Sequence, residues 1–425
     1  MCGWHAYCLE LQAAWHEPSR FFKKGKGRTV KKIGIICEYN PFHGGHAYQI
    51  ARIRAEAPDA AVVCLMSGHA TQRGELAIAD KFTRASMALS CGADVVLELP
   101  YPYCAASASY FAGAGVAILD ALGMDELSFG SECADAALLE KAVDVTESEA
   151  FFESVRLRQK RGEGSAQGYF AELGMRMGVS EGFRSNDILA LEYMRAIRAI
   201  ESRMRPMPIL RHGSDYTEQE ILQDQLPSAT AIRRLLAQGC INESLDIIPK
   251  SASKVLGIAI KAQKAPVLVS RLESAILAFF RLYDPAAYEN IAEMQGGLSN
   301  RLHEAARASV TLDDFFAASA SKSYTNARLR RAVLFAMTGV TVQDLKTPPA
   351  YLSLLAANEK GRVLLRQWKG TSPIPIFAKF ADAPLVSPAA ERQAKLALSL
   401  DALFSLALPV PTEADLWIKC PPHME

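Results

Sequence analysis

The sequence predicts an α/β fold, a doubly wound parallel sheet carrying a mostly helical C-terminal domain. Three observations predict it. Short apolar runs of strand length alternate with helical stretches between residue 33 and about residue 210. Turn-forming Gly, Pro or Asn follows most of these runs. Beyond about residue 241 the pattern is helical, with no alternating strand signal.

The elements follow in order. Ile33-Gly34-Ile35-Ile36-Cys37 reads as a buried strand, with turn chemistry at Asn40-Pro41. A helix begins near His46 and stops before Pro58. Ala61–Met66 is a second strand, Asp80–Ser90 a helix closed by Cys91-Gly92, and Asp94–Leu99 a third strand ended by Pro100. A helix over about Ala105–Leu122 leads to a fourth strand, Glu126–Phe129. Residues 134–205 read as mostly helical, Met207–Leu210 as a further strand, and a helix starts at Ser228 or Ala229. Such alternation places helices on both faces of the sheet and ligands at the carboxyl ends of its strands. His43, Ser67-Gly68-His69 and Gly130-Ser131 all fall there. The domains are therefore expected at 32–240 and 241–425, with 1–31 set aside as a disordered extension or a mis-called start.

A chain of 425 residues with 50% hydrophobic and 22% charged residues is globular in type and long enough for two or three domains. A formal net charge of +1 gives no bulk attraction for polyanions, so any nucleic-acid surface must be local. The nine cysteines show no CxxC pair and no zinc spacing, which fits reduced thiols in a cytoplasmic protein. No apolar run reaches membrane-spanning length, and no protein partner is implied.

The sharpest signal is Ile36-Cys37-Glu38-Tyr39-Asn40-Pro41-Phe42-His43-Gly44-Gly45-His46. A strand ends, the chain turns, and a helix opens. Glycines allow close approach of a ligand to backbone. Amides at a helix start attract phosphate, and two imidazoles beside them can donate to phosphoryl oxygens as charge builds. Ser228-Ala229-Thr230 with Arg233 is a second phosphate candidate, or an ordinary helix cap. His69 and Arg73 read either as ligand contacts or as surface loop, and Glu98 as a carboxylate at the site rim or, in preference, a structural one. No carboxylate set forms a metal cage.

The His-Gly-Gly-His string resembles the HxGH signature of the nucleotidyltransferase superfamily. The match extends through Met66-Ser67-Gly68-His69, Gln72-Arg73-Gly74-Glu75, Gly92–Pro100, Phe129-Gly130-Ser131-Glu132 and Pro227–Arg233. Together these strings resemble the bacterial tRNA(Met) cytidine acetate ligase family, from about residue 32 to the end. The family has Asn between the first His and the Gly; this chain has Gly44. The resemblance implies an ATP-dependent enzyme that forms acetyl-adenylate from free acetate and acetylates the N4 amine of the wobble cytidine in elongator tRNA(Met). It implies ATP contacts along Ile36–Gln49, including Ala47 and Tyr48, and at Gly130, Asn186 and Arg211. Ser228 and Thr230 join them through the superfamily's second motif. His43 and His46 take the catalytic role. Magnesium would arrive on the ATP phosphates and keep most of its waters.

Two stretches are basic without acidic neighbours, one over Lys250, Lys254, Lys261, Lys264 and Arg271, the other over 322–331. In the second, Lys322, Arg328, Arg330 and Arg331 are expected to contact the tRNA backbone, against the reading of a solvated helix face. Two other classes stand beside this one. The first is an adenylate-forming enzyme acting on small molecules without RNA; the second is a non-catalytic, nucleotide-dependent RNA-binding protein.

Overall fold

The computed structural model describes residues 30–161, 163, 165–178, 183, 187–211, 227–321 and 324–425. Nearly all of the N-terminal extension lies outside these residues, as do Asn186 and Lys322.

The first half alternates as the apolar runs require. Strand β1 (Lys32–Cys37) leads to helix α1 (Gly44–Glu56), β2 (Ala61–Ser67) to α2 (Lys81–Ser90), β3 (Val95–Leu99) to α3 (Ala108–Ala121), and then comes β4 (Glu126–Ser131). Helices α4 (Ala136–Thr146), α5 (Glu149–Lys160), α6 (Ser165–Met177) and α7 (Asp187–Ala199) precede β5 (Arg205–Leu210). Every residue of β2 is buried, as expected for a central strand covered on both faces.

The remainder is mainly helical: α8 (Ala229–Ala237), α9 (Ile241–Asp246), α10 (Lys250–Lys261), α11 (Glu273–Leu282), α12 (Leu298–Ala308), α13 (Leu312–Ser319), α14 (Asn326–Thr338) and α15 (Val342–Lys346). Then follow β6 (Leu352–Ala357), α16 (Glu359–Trp368), β7 (Ile376–Phe377), α17 (Pro388–Leu406) and β8 (His423–Met424).

The strand order is β5-β4-β1-β2-β3-β6-β7, with β8 on β6. β1 pairs in parallel with β2 on one side and β4 on the other. Loops leaving the carboxyl ends of β1 and β4 therefore diverge and open a crevice, the topological switch point of such sheets. One expectation is corrected here. The chain beyond 241 is not strandless, because β6 runs antiparallel to β3 and extends the main sheet. Its Leu352-Ser353-Leu354-Leu355-Ala356-Ala357 is buried throughout, so no alternation marks it.

A buried charge cluster ties α17 to this sheet. Lys81 Nζ meets both oxygens of Glu98 at 3.0 Å and lies 3.9 Å from Asp401. Asp401 receives His69 Nδ1 at 2.6 Å, and the His69 ring stacks on Phe404. Burial would push the Asp401 carboxyl up, but Lys81 and His69 outweigh it and hold it low. Glu98 is structural, as expected. His69 is fully buried, not a surface-loop residue.

Candidate active site

At the crevice, α1 is capped by its own histidines. His43 Nδ1 accepts the Gly45 amide at 3.0 Å, and His46 Nδ1 accepts the His43 amide at 3.2 Å. This is a reciprocal capping box with imidazoles in place of the usual Ser and Glu. An accepting Nδ1 is unprotonated, so each neutral ring carries its proton on Nε2. The rings lie 3.8 Å apart, backed by Tyr39 and the fully buried Phe42. Burial, with the Arg211 and Arg233 guanidiniums nearby, lowers the His43 pKa to about 4. Burial and the neighbouring His43 and Arg211 hold His46 well below the usual histidine range. Both rings are therefore neutral donors at neutral pH. Gly45 is needed because a Cβ there would sit 2.9 Å from the His43 ring.

The histidines open onto a cavity of about 530 Å³. Of the expected nucleotide contacts, Ile36, Cys37, Glu38, Tyr39, Asn40, His43, His46, Gln49, Gly130, Arg211, Ser228 and Thr230 line it. Pro41, Phe42, Gly44, Gly45, Ala47 and Tyr48 are not among its lining residues; Phe42 instead supports the rings from behind. Gln49 donates to Ser128 Oγ at 3.1 Å, tying α1 to β4. Gly130 leaves room for Arg211, whose Cγ would lie 3.2 Å from an added Cβ.

Helix α8 closes one side. Ser228 Oγ caps it by accepting the Ala231 amide at 3.2 Å. Arg233 donates to the Asn40 carbonyl at 2.9 Å and to Thr230 Oγ1 at 3.3 Å. Asn40 Oδ1 in turn accepts the Ile78 amide at 2.7 Å. The two phosphate candidates are thus joined through one asparagine.

The loop after β2 forms the opposite wall, with Thr71, Gln72, Arg73 and Glu75. Glu38 Oε1 accepts the Gln72 amide at 2.6 Å. Burial pushes the Glu38 carboxyl up, against the pull of Arg73 and Arg233. An apolar end formed by Phe111, Phe129, Ile188, Leu189 and Tyr193 was not foreseen. Apart from Phe129, which begins the Phe129–Glu132 string, these residues carry no motif, and their spacing is that of ordinary core.

The basic segment on α14 is engaged within the chain. Arg331 is 8% exposed, pairs with Glu293 at 2.7 Å and lines the nucleotide cavity. Arg330 pairs with Glu75. Arg328 donates to the Gln295 carbonyl at 2.8 Å and lies over the Tyr324 ring. All three guanidiniums have intramolecular partners. Among the described residues, no group of His, Cys, Asp and Glu side chains could hold a metal ion, and no helix is long and apolar enough to cross a membrane.

The chain matches the HIGH nucleotidyl transferase family model over residues 30–415. It is 32% identical over 370 residues to the tRNA(Met) cytidine acetate ligase of Acetivibrio thermocellus, covering 83% of this chain and 89% of that protein. To the enzyme of the same name from Syntrophotalea carbinolica it is 36% identical over 365 residues, covering 83% and 85%. The crystal structure of Thermotoga maritima TmcAL bound with α-thio ATP matches with a TM-score of 0.82 at 28% identity, covering 93% of this chain and 99% of that one. The chain therefore belongs to the HIGH nucleotidyl transferase family, within its tRNA(Met) cytidine acetate ligases.

Proposed function

We propose that this protein uses ATP to activate free acetate as acetyl-adenylate and acetylates the N4 amine of the wobble cytidine of elongator tRNA(Met). The observation that carries the reading is the pair of neutral imidazoles. Their Nδ1 atoms are occupied by the helix cap, leaving both Nε2–H groups free to serve phosphoryl oxygens at a helix N-terminus. An acetate oxygen attacks the α-phosphorus and pyrophosphate leaves. Charge then gathers on oxygens that fixed donors stabilise, and the protein mainly positions the reactants.

In the second step the cytosine amine attacks the acetyl carbon. The C–N bond forms, the acyl–oxygen bond breaks, and AMP leaves with the electron pair. The amine's proton passes to the departing phosphate. A flipped-out base suits this reaction, because the anhydride lies in a cavity.

Arg211, Gly130 and Asn186 complete the ATP site in this reading, Asn186 by resemblance alone. Magnesium would ride on the ATP phosphates, since no protein cage is built for it among the described residues. A cytoplasmic setting supplies ATP, acetate and tRNA. The division into a catalytic 32–240 and a tRNA-binding 241–425 belongs to the same proposal. The internal pairing of Arg328, Arg330 and Arg331 favours a second reading, adenylate formation without RNA; the names of the relatives favour tRNA. Exchange of labelled pyrophosphate into ATP tests the first step. It should require acetate, and its absence with acetate present would contradict the adenylate.

A further inference from the structure

A second cavity of about 960 Å³ adjoins the first. The two share Glu75, Thr230 and Arg233, which border both. The first, at about 530 Å³, is the size of a site for a single small ligand. Once an adenylate fills it, a second nucleotide has no room there. A nucleophile must reach the anhydride from adjoining space.

The chemistry of the second cavity suits a nucleobase. Its floor is apolar, built from Ile78, Leu272 and Ile276 together with Val333, Leu334 and Met337 on one face of α14. The half-buried Phe316 adds an aromatic ring. Unstacked bases are held by such surfaces, and their phosphates by guanidinium groups beside them. Arg233, Arg234 and Arg330 supply three cations against the carboxylates of Glu75 and Asp313. Glu75 is already paired with Arg330 and lies 3.7 Å from Arg233. Arg234 is exposed and lines the same cavity. A base entering this cavity edge-first brings an exocyclic amine to the shared wall. A peptide segment would gain from the apolar floor but not from the arginines.

We propose that this second cavity receives the acceptor cytosine of a single-stranded RNA loop, with a flanking phosphate on Arg234. The assignment rests on the functional reading above. It adds where the acceptor binds and which side chains select it.

The test uses the full chain and an anticodon stem-loop RNA with cytidine at the wobble position. Two variants are compared with the parent, Met337→Trp, which fills the floor, and Arg234→Ala, which removes the phosphate contact. Acetate-dependent pyrophosphate exchange without RNA should stay within about twofold of the parent for both. The KM for the RNA should rise at least about tenfold in Met337→Trp. In Arg234→Ala the salt dependence of RNA binding should flatten by about one slope unit. Unchanged RNA KM in Met337→Trp with normal exchange would overturn the assignment. If Met337→Trp loses exchange, it has disturbed the fold, and Arg234→Ala decides: unchanged RNA binding and salt slope overturn the proposal. A parent that exchanges pyrophosphate but acetylates no RNA overturns the tRNA reading itself, and the cavity assignment with it. Competition by an apolar peptide but not by the stem-loop RNA would assign the cavity to a protein partner instead.

Discussion

The two histidines carry two duties that can be separated. Nδ1 holds the helix start, while both rings line the cavity and Nε2–H is the donor proposed for the phosphates. Asparagine can reproduce the first, since its Oδ1 accepts an amide from nearly the same place. We therefore expect His43→Asn and His46→Asn to fold with parental stability at neutral pH. Each should lose about 10²–10³-fold in acetate-dependent pyrophosphate exchange, the scale for removing one transition-state donor. Parental exchange rates in either would separate the imidazoles from the chemistry. The same rings set an acid limit. His43 has a native pKa of about 4 against 6.5 unfolded, so between those values only the unfolded chain gains a proton. Stability should thus fall as pH drops from 6.5 toward 4. His43→Asn should reduce that slope, with His46 supplying part of the remainder. Melting curves at pH 7, 5.5 and 4.5 check this, and an unchanged slope in His43→Asn would contradict it.

At the level of elements, the loop after β2 and helix α14 are fitted to each other. Gly74 has φ +76, and a Cβ there would overlap the backbone of Arg330 and Arg331. Gly74→Ala should cost about 1–3 kcal/mol from backbone strain and overpacking together, measured by denaturant unfolding. An unaffected midpoint would mean the contact is not maintained in solution. The strands of the first half were legible because their apolar runs end in clear turn signals. β6 was not, because its short apolar run stands alone among helical segments, outside any β–α alternation. The basic segment near residue 330 was legible as charge but not as destination. Its acidic partners, Glu75 and Glu293, are distant in sequence, and only the fold brings them together. The motif around His43 was readable because cap, glycines and histidines are contiguous. The apolar end of the cavity was hidden for the opposite reason, its residues being spread from Phe111 to Tyr193.

For the whole molecule, the C-terminal half is built into the catalytic sheet. β6 pairs with β3, and Asp401 of α17 joins Lys81 and Glu98. Lys81→Met would leave two buried carboxylates without their cation. We expect a loss of about 3–5 kcal/mol, read as one cooperative unfolding transition of both halves. Two separated transitions in the parent protein would show that the halves fold independently. The central claim is that an acyl-adenylate links the nucleotide cavity to RNA acetylation. In the proposed reading the acid lies beside the polar groups of Glu38 and Arg73, which line the cavity together with Gly130. One fewer or one more methylene changes the fit by about 1–3 kcal/mol, so propionate should be a poor substrate and longer acids should fail. The most direct measurement is transfer of radiolabelled acetyl groups to a tRNA(Met) transcript, comparing acetate plus ATP with acetyl-CoA alone. The account predicts label in the tRNA only with acetate and ATP; transfer from acetyl-CoA without ATP would contradict it, and with it the role given to His43 and His46.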